Sequence, residues 1–300
     1  MKLYKSTILL GLALAAVVSC NKEASAPVAG DVDPAREIVF TDGGFAAEVV
    51  TKAGPTQVTA LSGADLKVQC TTGSAGSETS VWAVSSTTKS GSSYQTGKYW
   101  PQTNPSYHFY ASNAAMTFAA AGTQVKPTSI AQDIVVAYLA SPTYKASNAL
   151  TFEHIYAQVG KCTISAPTGY TVTGLTVKMT PKLPGSSSSY NIRTGAGKTD
   201  ATGWSGTVDG SEVTLCNAVG STTDNDLWLV PGSYTLTAAY TLTKGDFTKA
   251  YTKTSTVTLQ KGKNHNITAT LPDAGSEIQD IVFTITITPW TDVDVTPDFS

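Results

Sequence analysis

Alternation with a period of two is the feature that most limits what this chain can fold into. Val, Ile, Thr, Tyr and Phe recur at every second position over 37–41, 66–71, 107–111, 134–138 and 151–164. The pattern returns over 171–180, 212–215, 234–240, 254–259, 265–271 and 281–289. Clusters of Gly, Pro, Ser and Asn separate these segments at intervals of about ten residues. A strand of this kind turns one face inward, and many in succession build sandwiches or barrels. No convincing helical period is present, and the Ala-rich stretch 113–121 is short. The expected fold class is all-β.

Length allows two domains. The 300 residues suffice for two sandwiches, each with its own core. A Pro and a Gly interrupt two strong strands at 166–169, which sets the expected boundary: an N-terminal sandwich over 37–166 and a C-terminal one over 167–300. The Ser/Gly-rich stretch 183–210 carries little strand signal and reads as a large surface loop of the second domain. No internal repeat of fixed period is visible.

Charged residues make up 14% of the chain and the formal net charge is −2. A soluble globular chain usually carries about 25% charged residues. With no basic excess, nothing points to nucleic acid as a partner.

The first twenty residues read as a targeting segment. Lys2 and Lys5 give a positive start, and the apolar run over 8–18 is shorter than the ~20 residues a bilayer span needs. It ends in Val17-Val18-Ser19-Cys20, which resembles a bacterial lipoprotein signal, with Cys20 taking the lipid. Each buried methylene of such an anchor contributes about 0.8 kcal/mol. A loose linker follows over 21–36; its Asn21-Lys22-Glu23 start resembles the export tag that sends Bacteroidetes lipoproteins to the outer surface. The expected location is the outer membrane, surface-exposed.

Fragments that look catalytic fail on inspection. Gly195-Ala196-Gly197-Lys198-Thr199 resembles the end of a phosphate-binding loop, but Ile192 stands where the opening glycine belongs. His108, His154 and His265 lie in separate strand segments with no metal-ligand spacing, so each reads as a structural histidine. Asp224/Asp226 and Asp292/Asp294 read as solvated turn or terminal residues. Cys70, Cys162 and Cys216 are spaced too widely for a zinc or redox motif; one disulfide is open, with no pair singled out. Four of the five tryptophans read as core, with Trp204 as the one for the surface. Nothing here calls for an enzyme, a metal or a cofactor.

Particular residues carry a family likeness. Lys98-Tyr99-Trp100-Pro101 followed by Tyr107-His108-Phe109-Tyr110-Ala111 resembles a Tyr-Trp-Pro … Phe-Tyr-Ala signature of the Bacteroidetes fimbrillin-like proteins. Gln132-Asp133-Ile134-Val135-Val136-Ala137 and Leu150-Thr151-Phe152-Glu153-His154 are similar to the next two segments of that family, in order. Leu259-Gln260-Lys261-Gly262-Lys263-Asn264-His265 resembles its Gly-Lys turn, with His265 replacing an aromatic residue, and Ile285-Thr286-Ile287-Thr288-Pro289-Trp290 its final strand. The stretch 181–226 carries no match.

The resemblance implies two transthyretin-like β-sandwiches and a type V pilin that polymerises by donor-strand exchange to support adhesion. On that pattern Lys52, in Thr51-Lys52-Ala53, stands where the processing protease of relatives meets Arg, with Arg36 as a fallback. Ile38, Val39 and Phe40 belong to the removable strand, and Val293, Val295 and Phe299 to the donor arm. The implied partners are other pilin subunits, the outer membrane through the lipid, and a host or bacterial surface receptor. The alternative is a surface lipoprotein that binds a glycan or host protein and never polymerises.

Overall fold

The structure is a computed structural model that describes residues 36–45, 58–273, 281 and 283–289. It is an all-β architecture. The first ten strands are β1 (Glu37–Phe45), β2 (Lys67–Thr72), β3 (Thr79–Val84), β4 (Thr88–Ser90) and β5 (Ser93–Tyr99), then β6 (Tyr107–Ser112), β7 (Met116–Thr117), β8 (Gln124–Val125), β9 (Val135–Ala140) and β10 (Asn148–His154). Eight of these form one sheet in the order β3-β2-β6-β9-β10-β1-β5-β4. Only two residue pairs join β9 to β10. At that thin seam the sheet folds over, so that residues of β1, β5 and β10 meet residues of β2, β6 and β9 in one core. The Phe40 and Phe109 rings meet edge to face at 4.9 Å across it, and Trp100 packs against Phe109, Tyr107 and Tyr144.

The chain continues through β11 (Ala157–Ser165), β12 (Thr171–Met179), β13 (Lys182–Asn191), a helical turn α1 (Ile192–Gly195), β14 (Trp204–Asp209) and β15 (Val213–Cys216). The described strands then continue with β16 (Thr222–Leu229), β17 (Gly232–Lys244), β18 (Phe247–Leu259), β19 (Lys263–Thr270) and β20 (Phe283–Pro289). Sheets β16-β11-β19-β20 and β15-β12-β17-β18 enclose a second apolar core. The inward set of β17 (Tyr234, Leu236, Ala238, Tyr240, Leu242) is the period-two pattern of the sequence realised as a buried face.

A fourth sheet, β14-β13-β8-β7, draws strands from both halves of the chain. Beside it Tyr110, Tyr156, Tyr190, Ile192 and Trp228 form a small core of their own. Two ion pairs stitch the same region. Lys261 Nζ donates to Glu153 Oε2 at 2.6 Å, to Gly195 O at 2.6 Å and to Tyr190 OH at 3.0 Å. Arg193 pairs with the buried Glu78, which also accepts from Tyr110 and Thr71.

Two expectations are corrected. The supposed surface loop 183–210 contains β13, α1 and β14, with Tyr190 and Ile192 buried. Its serines hid the strands: Ser186 and Ser187 are exposed, and Ser189 and Ser205 hydrogen-bond across strands at 2.8 Å, while Ser188 is buried. The break at 166–169 is a turn closed by Tyr170 N to Pro167 O at 3.2 Å. Because β11 pairs with β16 and β19, the chain leaves the first sheet at Ile155-Tyr156. Trp204 is not a surface residue: it packs on Tyr156 and Tyr190, and its indole donates to Ile155 O at 3.2 Å. The cysteines Cys70, Cys162 and Cys216 are buried free thiols. Burial alone pushes Cys70 up, and burial together with the neighbouring Cys216 thiol pushes Cys162 up to about 12.

Candidate functional site

The candidate site is the seat of β1. The strand lies between β10, to which it runs parallel, and β5, to which it is antiparallel. Ile38 and Phe40 are 1% and 0% exposed and point into the first core. Burying each contributes about 1.5–3 kcal/mol. Val39, the intervening residue, is half-buried and pairs with Gln95. Backbone and side-chain bonds fix the register: Trp100 N donates to Arg36 O at 2.8 Å, Thr96 Oγ1 to Ile38 O at 2.7 Å, and Gly97 N to Glu37 Oε1 at 2.9 Å.

At the far end of the strand the ladder with β10 shifts between Asp42 and Phe45. Two glycines allow it. A Cβ on Gly43 would stand 2.7 Å from Leu150 O, and Gly44 has φ +74°. Asp42 closes a polar knot there. Its Oδ2 accepts from Lys89 Nζ and from Tyr94 OH, both at 3.0 Å, and its Oδ1 from Gly44 N at 3.1 Å. Lys89 also donates to Leu61 O at 2.9 Å and to Tyr94 OH at 3.0 Å. Burial works to raise the Asp42 pKa, but the bonds from Lys89, Gly44 and Tyr94 outweigh it and hold the carboxyl below its usual value. The hydrogen bond to Tyr94, with that to Asp42, raises Lys89 against the effect of its own burial.

The chain leaves β1 and returns at neighbouring points. Phe45 stacks on His154 at 5.5 Å. Asp133 Oδ2 accepts from Val58 N at 2.9 Å and pairs with His154 Nδ1 at 2.7 Å. A cut anywhere in 46–57 therefore severs the one covalent tie between β1 and the body that follows it. A cut after Arg36 leaves that tie intact.

Of the residues singled out in the sequence, Arg36, Ile38, Val39 and Phe40 come together here. Cys20, Lys52, Val293, Val295 and Phe299 lie outside the described residues. Sequence reasoning missed Asp42, Lys89 and Tyr94. The alternation of Ile38-Val39-Phe40 continues to Asp42, and a carboxylate in phase with two core residues was the available signal for it. Lys89, on the three-residue β4, gave none. At the other end of the chain β20 pairs antiparallel with β19 along seven positions, from Lys263↔Pro289 to Ala269↔Phe283, as the edge of its own sheet.

The remaining groups with chemical potential are structural in their partners. His265 Nδ1 lies 3.0 Å from Gln158 O, and its Nε2 accepts from Gln260 N at 2.9 Å. His108 lies 3.0 Å from both Gly73 O and Tyr138 OH. Among the described residues no three His, Cys, Asp or Glu gather as metal ligands. None of the described helices is long and apolar enough to cross a membrane. Gly197, Lys198 and Thr199 line a cavity of about 190 Å³ with Glu153 and Lys261–Lys263, and the Gly197 amide there is bonded to Glu153 at 3.0 Å.

The fimbrillin-like family matches residues 51–290, a span that starts beyond β1. A solved structure of a candidate cell adhesion protein from Parabacteroides distasonis aligns with a TM-score of 0.51 at 8% identity, covering 85% of this chain and 97% of that one. It shares the fold. A candidate cell adhesion protein from Bacteroides ovatus aligns with a TM-score of 0.42 at 15% identity, over 86% of this chain and 99% of that one. A fimbrial assembly protein from Parabacteroides distasonis aligns at 0.34 and 9% identity, over 84% and 97%. No curated protein sequence matches the chain. With a family match that runs from Thr51 to Trp290, the chain belongs to the fimbrillin-like family.

Proposed function

We infer that this chain is a surface-displayed subunit of an adhesive fimbria, held to the outer membrane through lipid on Cys20 until a cut at Lys52 frees it. The cut lets β1 depart with Ile38, Val39 and Phe40. The vacated seat then takes an extended strand from a neighbouring subunit, while Val293, Val295 and Phe299 form the arm that this chain donates onward. Its role is structural, with no catalytic step.

The observation that carries this reading is the position of β1. It is a buried strand between two others, yet it is joined to the body that follows through one connection. Removing it would bare an apolar trough and two unpaired backbone edges, a state that a strand from elsewhere satisfies at once. Family membership supports the same reading.

Limited trypsin treatment of the mature chain tests it. The expected products are a new N-terminus at Ala53 and oligomers that survive mild SDS, both lost in Lys52→Ala. A Lys52→Ala chain that assembles like the wild type would remove the processing step. Deletion of residues 293–300 without loss of assembly would remove the donor arm.

A further inference from the structure

The polar end of the β1 seat sets a chemical requirement on whatever strand occupies it. Lys89, Tyr94 and the Leu61 carbonyl belong to β4, β5 and the segment after Val58, so all three stay with the body when β1 leaves. Asp42 does not stay. Its departure takes the shared acceptor of the Lys89 ammonium and the Tyr94 hydroxyl. Tyr94 is fully buried, and the Lys89 side chain is 27% exposed. A vacated site of this kind attracts a carboxylate more strongly than a neutral amide, since charge-assisted bonds are the stronger ones.

Phase makes the requirement specific. Ile38, Phe40 and Asp42 are two residues apart, so one face of one strand supplies both apolar plugs and the carboxylate. The chain's own C-terminal segments do not offer this arrangement. Residues 281–289 contain no Asp or Glu. In 291–300, Val293, Val295 and Phe299 fall on one parity while Asp292, Asp294 and Asp298 fall on the other, in whichever direction the strand is read. Such a strand can seat its apolar side chains or a carboxylate, but not both.

We propose that Lys89 and Tyr94 form a carboxylate-binding subsite of the β1 groove, which selects a strand from a different protein bearing apolar-x-apolar-x-Asp/Glu. This rests on the reading of β1 as removable. The groove thereby prefers such a strand to this chain's own tail, which it takes more weakly in self-assembly.

The test uses the full mature chain nicked in 46–57 and fluorescent peptides that compete with β1. The peptides are residues 37–45, the same with Asp42→Asn or Asp42→Glu, and residues 290–300. Binding of the native 37–45 peptide should exceed that of its Asp42→Asn form by about tenfold or more. Asp42→Glu should recover most of the difference, and 290–300 should bind no better than the Asn form. In a Lys89→Met chain the Asp and Asn peptides should bind alike. Equal binding of the Asp and Asn peptides to the unsubstituted chain would overturn the subsite while leaving a replaceable β1 intact. A tail peptide that binds as tightly as native 37–45 would overturn the selection against self. Failure of every peptide to exchange would overturn both the subsite and the removable strand.

Discussion

Strands β1 and β19 occupy matching positions in their two halves and differ in one respect. Each runs parallel to one neighbour and antiparallel to the other: β1 between β10 and β5, β19 between β11 and β20. Each also plugs a core, through Ile38 and Phe40 in one case and Ile267 and Ala269 in the other. But β19 follows β18 through the tight turn at Gln260–Gly262, and β18 is paired with β17 along its whole length. With β20 following it, β19 has covalent links on both sides, so two cuts would be needed to free it. One cut in 46–57 frees β1 from the body. On the proposed function, a replaceable strand is marked by its covalent connections, since burial and pairing are alike in both.

The largest expected effect separates the two cores. Phe40→Ala should cost about 3–5 kcal/mol and Ile267→Ala about 2–5 kcal/mol. Hydrogen exchange should show the first loosening β5 and β10 and the second loosening β11 and β20. If both variants free the same amides, the halves open as one unit and the contrast between β1 and β19 disappears.

Next in size is the junction that keeps the halves aligned. Lys261→Met leaves Glu153 without its ammonium partner; because the Glu153 side chain is 25% exposed, the loss should be about 2 kcal/mol rather than the 3–5 kcal/mol of a fully buried pair. Denaturant melts read it. Burial holds Lys261 below the usual lysine value of 10.5, so the unfolded chain binds that proton more tightly. Its contribution to stability therefore grows as pH rises toward 10.5, and Lys261→Met should lack that rise.

Asp42 should show the same sign at the acid end of the scale. Its carboxyl titrates below the usual 3.8, so its contribution is present above that pH and is lost as pH falls through the lowered value. Acid should thus loosen β1 before β19, and Asp42→Asn should abolish the distinction. A smaller effect still is expected at Thr256→Ala on the outer face of β18, within about 0.5 kcal/mol by thermal melt.

Much of this was legible in the sequence where alternation was strong. The apolar phase of Ile38 and Phe40, of Val135 and Ala137, and of the Tyr234–Tyr240 run announced both strand and inward face. Serine concealed β13 and β14, because a polar outer face beside few apolar residues reads as a loop until Tyr190 and Ile192 find their core. Trp204 looked exposed among glycines, yet its ring is half-buried against Tyr156 and Tyr190. The Lys89–Asp42–Tyr94 knot was beyond local pattern altogether: it joins positions 47 and 52 residues apart, and only the pairing of β1 with β5 brings them together.

Hydrogen exchange on the chain before and after cleavage in 46–57 tests the replaceable strand most directly. After the cut, the amides of β5 and β10 that bond to β1 should lose protection as the strand departs, while those of β11 and β19 keep theirs. Protection of β1 that remains equal to that of β19 in the nicked chain would contradict the account.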